Sequence, residues 1–237
     1  MPVYNEASGI EDFLLDIVHE FRGLDLTIVI IDDCSSDETY ETIVKIQKAP
    51  NNKIIYRRNS INLGHGASTL RAISESLAFE PEVIITVDGD GQFHGKDILR
   101  TYQALKLNQE IKVVETVRVR RRDPYFRKVL SWVTRVVVFL KSRKSTRDAN
   151  SPLRAYRRDT LAELIQDLSE RRVLVPNIWI STNLRRKNIP SLSIEVAFIP
   201  RRGEVKESVT WKQKYRFLPS LRLVKFSSQA LWEVIRS

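Results

Sequence analysis

Residues 83–92 read VIITVDGDGQ, a short β-branched apolar run that stops at two carboxylates separated by one glycine. Such a run predicts a strand buried on both faces of a sheet, with Asp88 and Asp90 at its carboxyl end. In open α/β sheets ligands bind at that edge, and Gly89 and Gly91 let the backbone turn sharply beside one. Asp88 and Asp90, with the amide of Gln92, offer hard oxygen ligands of the kind that share Mg2+ or Mn2+ with a substrate's phosphates. An Asp-x-Asp pair is equally at home in a solvated turn, so its meaning depends on the rest of the chain.

That rest repeats the handover from strand to helix. Ile10, Phe13, Leu14, Ile17, Val18 and Phe21 recur at three- and four-residue spacing and predict an amphipathic helix over 8–21. Leu26–Ile31 predicts a buried strand, after which Ser35 and Glu38 have the spacing of a capping box for a helix reaching about Lys48. Lys53–Arg58 reads as a strand, and the glycine-bearing turn Asn62–Ala67 feeds a helix through Leu70, Ile73, Leu77 and Phe79. A helix over 97–106 follows the acid motif, then strands at 111–116 and 191–199, with a loop from Asp148 opening directly into a helix through Leu161, Leu164 and Ile165. Strands alternating with helices predict a mostly parallel sheet with right-handed crossovers.

Lys and Arg outnumber Asp and Glu by 39 to 29, a net charge of +10 that favours nucleic acid, an anionic membrane surface or phosphorylated substrates as partners. A nucleic-acid module would have no use for the Asp88 and Asp90 pair, so that class is set aside. One cysteine, Cys34, excludes an internal disulfide, and with three histidines it argues against a zinc site. No apolar run approaches the roughly 18 residues of a spanning helix and no signal peptide is read, so the expected location is cytoplasmic, with any membrane association peripheral. Tyr125–Leu140 is apolar around much of its circumference and follows a cluster comprising Arg118, Arg120, Arg121 and Arg122, joined by Arg127 and Lys128. It is either core or an interfacial helix against anionic lipid. Residues 211–237 read as a basic amphipathic segment, and His65 and His94 as ordinary turn or surface residues.

Six short motifs stand in order: P-V-Y-N-E at 2–6, D-D-C-S-S-D-E-T at 32–39, N-L-G-H-G-A at 62–67, D-G-D-G-Q at 88–92, D-x-x-S-P-L-R at 148–154 and R-R-G-E-x-K at 201–206. With them the chain resembles the inverting GT-A glycosyltransferases of the family 2 type, and within these it is most similar to the polyprenyl (dolichyl) phosphate mannose and glucose synthases. The resemblance implies a Rossmann-like GT-A domain over 1–206 and a C-terminal segment, 207–237, resting on the cytoplasmic face of a membrane, with room for a membrane-protein partner. It also implies a first strand ahead of the P-V-Y-N-E turn, which is not read here. Cys34 stands where glycine is usual, and S-P-L-R replaces S-G-F-R.

The activity implied is metal-dependent, inverting transfer of a hexose from a UDP- or GDP-hexose to a polyprenyl phosphate. The alternative is a sugar hydroxyl acceptor in a cell-surface glycan. Pro2, Tyr4 and Glu6 would line the nucleoside pocket and Asp33 would contact base or ribose. Asp88, Asp90 and Gln92 would hold Mg2+ or Mn2+ and the donor diphosphate. Arg118 or Arg120, with Arg127 and Ser131, would receive the acceptor's phosphate, Arg118 also bordering the nucleotide sugar, and Arg201 or Arg202 with Lys206 would close over the diphosphate. Asp90, Arg127 and Arg202 would stand nearest the chemistry. A phosphate acceptor needs no general base, which agrees with the lack of a histidine beside the acid motif; a sugar hydroxyl would need one, and Asp148 is the candidate.

Overall fold

The computed structural model describes residues 1–49, 53–119, 125–166, 168 and 173–203, with side chains in the helix that begins at Tyr125 described from Lys128 onward. Pro2–Val3 (β1), Ile28–Asp32 (β2) and Ile54–Arg58 (β3) form a parallel sheet in the order β1-β2-β3. The first strand is therefore present as two residues, in register with Ile31 and Asp32. Val83–Thr86 (β4), Val113–Val119 (β5), Arg154–Arg157 (β6) and Ser191–Ala197 (β7) form a second sheet in the order β4-β6-β5-β7, in which β6 runs against both neighbours and β5 runs with β7. The sheets meet where the Gly89 N–H donates to the Pro2 carbonyl at 3.1 Å. A Cβ at Gly89 would lie 2.3 Å from Val3 Cγ1, so only glycine permits this approach.

The helices are Ile10–Glu20 (α1), Thr39–Gln47 (α2), His65–Leu77 (α3), Gly95–Leu107 (α4), Tyr125–Ser142 (α5), Arg158–Gln166 (α6) and Pro176–Arg186 (α7). One core joins Phe13, Leu14 and Ile17 of α1 to Ile43 of α2, Ile98 of α4 and the inner residues of β1 to β3. A second joins Ile73 of α3 to Leu161 and Leu164 of α6, to Trp179 and Ile180 of α7, and to β4 to β6. Helices thus cover both faces, as a mostly parallel α/β sheet requires.

Several expectations need correction. β2 is buried along its whole length, whereas of β4 only Ile84 is fully buried, because β4 lies at the end of its sheet. No capping box forms. Ser35 Oγ donates to Asp32 Oδ1 at 2.6 Å, and α2 starts later, capped by Glu38 without a side-chain bond. The loop after Asp148 opens into β6 before α6, and α7 carries no amphipathic signal because nearly all of it is buried. On α5, Val137 and Val138 pack against Ala149 and Ile178, while Val129, Trp132, Phe139 and Leu140 are exposed. The helix is both core and open surface. Among the described residues no helix is long and apolar enough to cross a membrane. Segment 207–237 and the boundary at 206 lie outside the described residues.

Candidate active site

Three distant segments converge at the carboxyl ends of β1, β2 and β4. Asp88 and Asp90 leave β4 on a turn in which Gly91 takes φ +67°, so two carboxylates share one small, mostly dry space, their side chains 28% and 15% exposed. Burial first, and then the charge of Asp88, pushes the Asp90 carboxyl up to about 6, while Arg201 and the Gln92 N–H work the other way. Two acids that resist joint ionisation suit a cation between them. Among the described residues no group of three His, Cys, Asp or Glu could hold a metal alone, so a cation here would complete its shell with water and phosphate oxygens. Gln92 braces this turn. Its side-chain N–H donates to the Ile199 carbonyl at 3.3 Å and its backbone carbonyl accepts the Ile199 N–H at 3.2 Å, a brace made without Oε1, the atom that would face a metal.

The basic turn after β7 lies across α1 and the acid turn. Arg201 Nη2 sits 3.2 Å from Glu6 Oε1 and 4.0 Å from Asp90 Oδ2, which links the P-V-Y-N-E and D-G-D-G-Q motifs through one guanidinium. Arg202 points away from that pair. It pairs with Asp16, donates to the Asp12 carbonyl at 3.1 Å and the Gly91 carbonyl at 3.3 Å, and lies over the Phe13 ring. Of the two arginines expected to close over a diphosphate, Arg202 is thus spent on fixing the acid turn to α1, and Arg201 alone faces the acids. Lys206 lies outside the described residues.

Pro2 is buried in β1 and acts through its carbonyl on Gly89, whereas Tyr4 is 42% exposed at the mouth. Asn5 turns the chain at φ +54° and accepts the Ser36 N–H at 2.8 Å. Asp33 accepts from Asn59 Nδ2, the Leu63 N–H and the Gly64 N–H, each at 2.8 Å. Its carboxylate shapes the loop that opens α3, and a base or ribose would have to share it. Cys34 holds φ +65°, the conformation for which glycine is the natural occupant.

On the far side, Arg118 grips Asp148 with both fork nitrogens, Nε to Oδ2 at 2.8 Å and Nη2 to Oδ1 at 2.9 Å, and covers the Phe198 ring. The pair is about 10% exposed. Arg118 is therefore matched to Asp148 in place of a free phosphate, and Asp148, the candidate base, is held in an ion pair. Ser131 is half-buried on α5, whereas Arg120 and the Arg127 side chain lie outside the described residues. Beneath this loop Arg154, fully buried, donates to the Ser151 carbonyl at 3.0 Å, the Ala149 carbonyl at 2.8 Å and Ser181 Oγ at 2.7 Å.

Sequence reading missed His65. The ring stands with Nε2 3.5 Å from Asp88 Oδ1, so a histidine does adjoin the acids, contrary to expectation. The signal was the N-L-G-H-G-A turn itself, which places its fourth residue at the start of α3, beside the end of β4.

Glu6 is buried, and burial pushes its carboxyl up to about 7 although Arg201 pulls it down; Asp90, Asp37 and Asp88 add to the rise. The folded protein holds this proton to about pH 7 and an unfolded chain releases it near 4.5, so stability falls as pH rises through that window. In chelator, without nucleotide, Glu6→Gln is expected to be more stable than the parent by about 2–3 kcal/mol at pH 8, the two converging near pH 4. Denaturant melts across that range check it, and a pH-independent difference would contradict it.

Against known proteins, the glycosyl transferase family 2 model matches residues 1–174. Undecaprenyl-phosphate 4-deoxy-4-formamido-L-arabinose transferase of Photorhabdus laumondii is 27% identical over 226 residues, 94% of this chain and 64% of that protein. Its namesake from Sodalis glossinidius is 26% identical over 200 residues, 84% of this chain and 60% of that one. The chain thus spans less than two-thirds of the length of these relatives. Among solved structures, glucosyl-3-phosphoglycerate synthase of Mycobacterium tuberculosis, crystallised with Mn2+, UDP-glucose and glycerol 3-phosphate, superposes with a TM-score of 0.68 at 14% identity, over 99% of this chain and 77% of that one. The fold is GT-A. With a family model that spans most of its length and the acid turn of β4 facing Arg201, this chain belongs to glycosyl transferase family 2.

Proposed function

We propose that this protein transfers a hexosyl group, with inversion, from a UDP- or GDP-hexose to a polyprenyl phosphate, using Mg2+ or Mn2+ held by Asp88 and Asp90. The observation that carries the donor half is the meeting of Asp88 and Asp90 with Glu6 and Arg201 from opposite ends of the chain. The names of the relatives, undecaprenyl-phosphate transferases, support the acceptor, as does the Mn2+ and UDP-glucose complex of the fold neighbour for the donor.

Departure of a nucleoside diphosphate builds negative charge on its oxygens, and a bound divalent cation offsets that charge. Asp88 and Asp90 would hold that ion beside the diphosphate. Arg201, a third exposed and anchored at Glu6, is placed to turn its fork to the same oxygens. Arg202, Gln92 and Gly89 keep the acid turn from shifting, so these groups are aimed before the donor arrives. An acceptor phosphate carries its own nucleophilic oxygen and needs no proton removed. That suits a site in which Asp148 is tied to Arg118 by both oxygens.

The row Val129, Trp132, Phe139 and Leu140 on α5, with exposed Lys128 and Arg135 beside it, fits an anionic lipid surface, reached peripherally from the cytoplasmic side. The test incubates the protein with Mg2+ or Mn2+, radiolabelled nucleotide sugars and polyprenyl phosphate in anionic vesicles. Label should enter the lipid phase, and Trp132→Glu with Leu140→Glu should weaken vesicle sedimentation and lipid labelling while sparing transfer to a short, water-soluble polyprenyl phosphate. Label passing to a glycan primer with none in lipid would reject the acceptor in favour of a sugar hydroxyl.

A further inference from the structure

We infer that His65 is a positioning residue for Asp88: its ring fixes one carboxylate oxygen so that the other is presented to the cation and diphosphate. The inference rests on the metal-dependent reading above, and adds to it a residue drawn from the turn between β3 and α3.

His65 is held from both sides. Upstream, the two Asp33 oxygens capture the Leu63 and Gly64 N–H groups, and Gly64 at φ +89° turns the chain into α3. Downstream, a Cβ at Gly66 would lie 2.1 Å from the Val173 carbonyl, so the first turn of α3 is seated against that strand of backbone and cannot slide. The ring between these anchors is half exposed and reaches Asp88 Oδ1 at 3.5 Å. That separation exceeds an ideal N–H···O bond, and site hydrogen bonds commonly tighten once substrate is bound.

Asp88 needs such a partner. It follows β4 directly and is followed by Gly89, whose backbone is pinned to Pro2 while its lack of a side chain offers Asp88 nothing to lean on. Among the described residues its side chain stands against the His65 ring, whereas Asp90 has Arg201 and the Gln92 N–H. The choice of imidazole has a physical logic. A neutral ring donates one N–H and leaves the carboxylate its charge, whereas lysine or arginine would neutralise the acid and compete with the ion. Groups that hold a ligating carboxylate in this way typically contribute about 10–100-fold to metal affinity when removed.

The experiment is calorimetric titration of Mn2+ into the full chain with UDP present, for the parent, His65→Ala and His65→Gln, beside steady-state kinetics. His65→Ala should weaken Mn2+ binding about 10-fold or more and raise the KM for metal by a similar factor, with kcat less affected and the melting temperature unchanged. His65→Gln, which keeps a donor N–H, should recover much of that loss. Equal Mn2+ affinity in the parent and His65→Ala overturns the inference and leaves the function intact. A rise confined to the KM for nucleotide sugar also overturns it, assigning the ring to the donor. A parent that retains no Mn2+ with UDP defeats the functional reading itself.

Discussion

Asp90→Asn is expected to abolish transfer and to stabilise the metal-free protein. The substitution keeps the shape and the acceptor atom that receives the Gln92 N–H, and deletes one of the two charges facing the cation. Loss of electrostatic groups aimed at a leaving group typically costs about 100- to 1,000-fold in kcat, and a fall of at least that size is expected here. The stability gain follows from the carboxyl pushed up to about 6 by burial and then by Asp88. A carboxyl that folds with a raised value resists ionisation, so it withdraws stability as pH climbs from about 4 through about 6 and that cost is complete at neutral pH. Asparagine escapes the cost. In chelator at pH 7.5 the variant should melt a few degrees higher, the difference vanishing by about pH 4, and added Mn2+ should stabilise the parent alone. A variant that is inactive but melts lower at neutral pH would show that the two acids are not in conflict, and the account of the site would fail.

Arg154→Ala is expected to give the largest loss of stability of any single change considered, about 3–5 kcal/mol and roughly 10 °C in melting temperature. Arg154 is fully buried, with Nη1 3.6 Å from Glu115, itself 3% exposed and paired with Arg185 at 2.8 Å. Truncation strips donors from the Ala149 and Ser151 carbonyls and from Ser181 Oγ. Those atoms fix the loop that carries Asp148 to Arg118, so the acceptor side should loosen with the fold. Arg154→Lys should rescue little, since an ammonium cannot span three acceptors as a planar fork does. Arg154→Met should recover part of the loss, because its apolar volume fills the space the guanidinium leaves while Glu115 keeps its pairing with Arg185. Thermal melts of the four proteins decide it; a change of under 1 kcal/mol for Arg154→Ala would mean that water replaces the guanidinium without penalty.

The elements that sequence reading placed well are those whose signal is local. Apolar spacing in 10–21 located α1, β-branched runs located β2 and β4, and alternation located β7, each within a few residues. The motifs P-V-Y-N-E and D-G-D-G-Q were legible because their prolines, glycines and acids break the regular pattern where a turn is needed. β6 was not, since Arg-Ala-Tyr-Arg shows no apolar run; its arginine is buried because hydrogen-bond partners from Ala149, Ser151 and Ser181 compensate it. Nor was α7, whose buried positions mix Asn177, Ser181 and Thr182 with Ile178, Trp179 and Ile180, so that no apolar stripe marks a period.

Within the site, sequence alone determined which residue types gather at the sheet edge: paired carboxylates on a glycine turn and arginines in quantity. It could not assign partners among them. Arg201 and Arg202 are adjacent and chemically identical, yet one meets Glu6 and Asp90 while the other meets Asp16, because successive side chains leave a turn in different directions. Arg118 went to Asp148 and His65 to Asp88 for the same reason, since those pairings join residues 30 and 23 positions apart. Composition and local period set the elements and their chemistry; the direction in which each side chain leaves the backbone, fixed only when the layers pack, decided which charge each one answers.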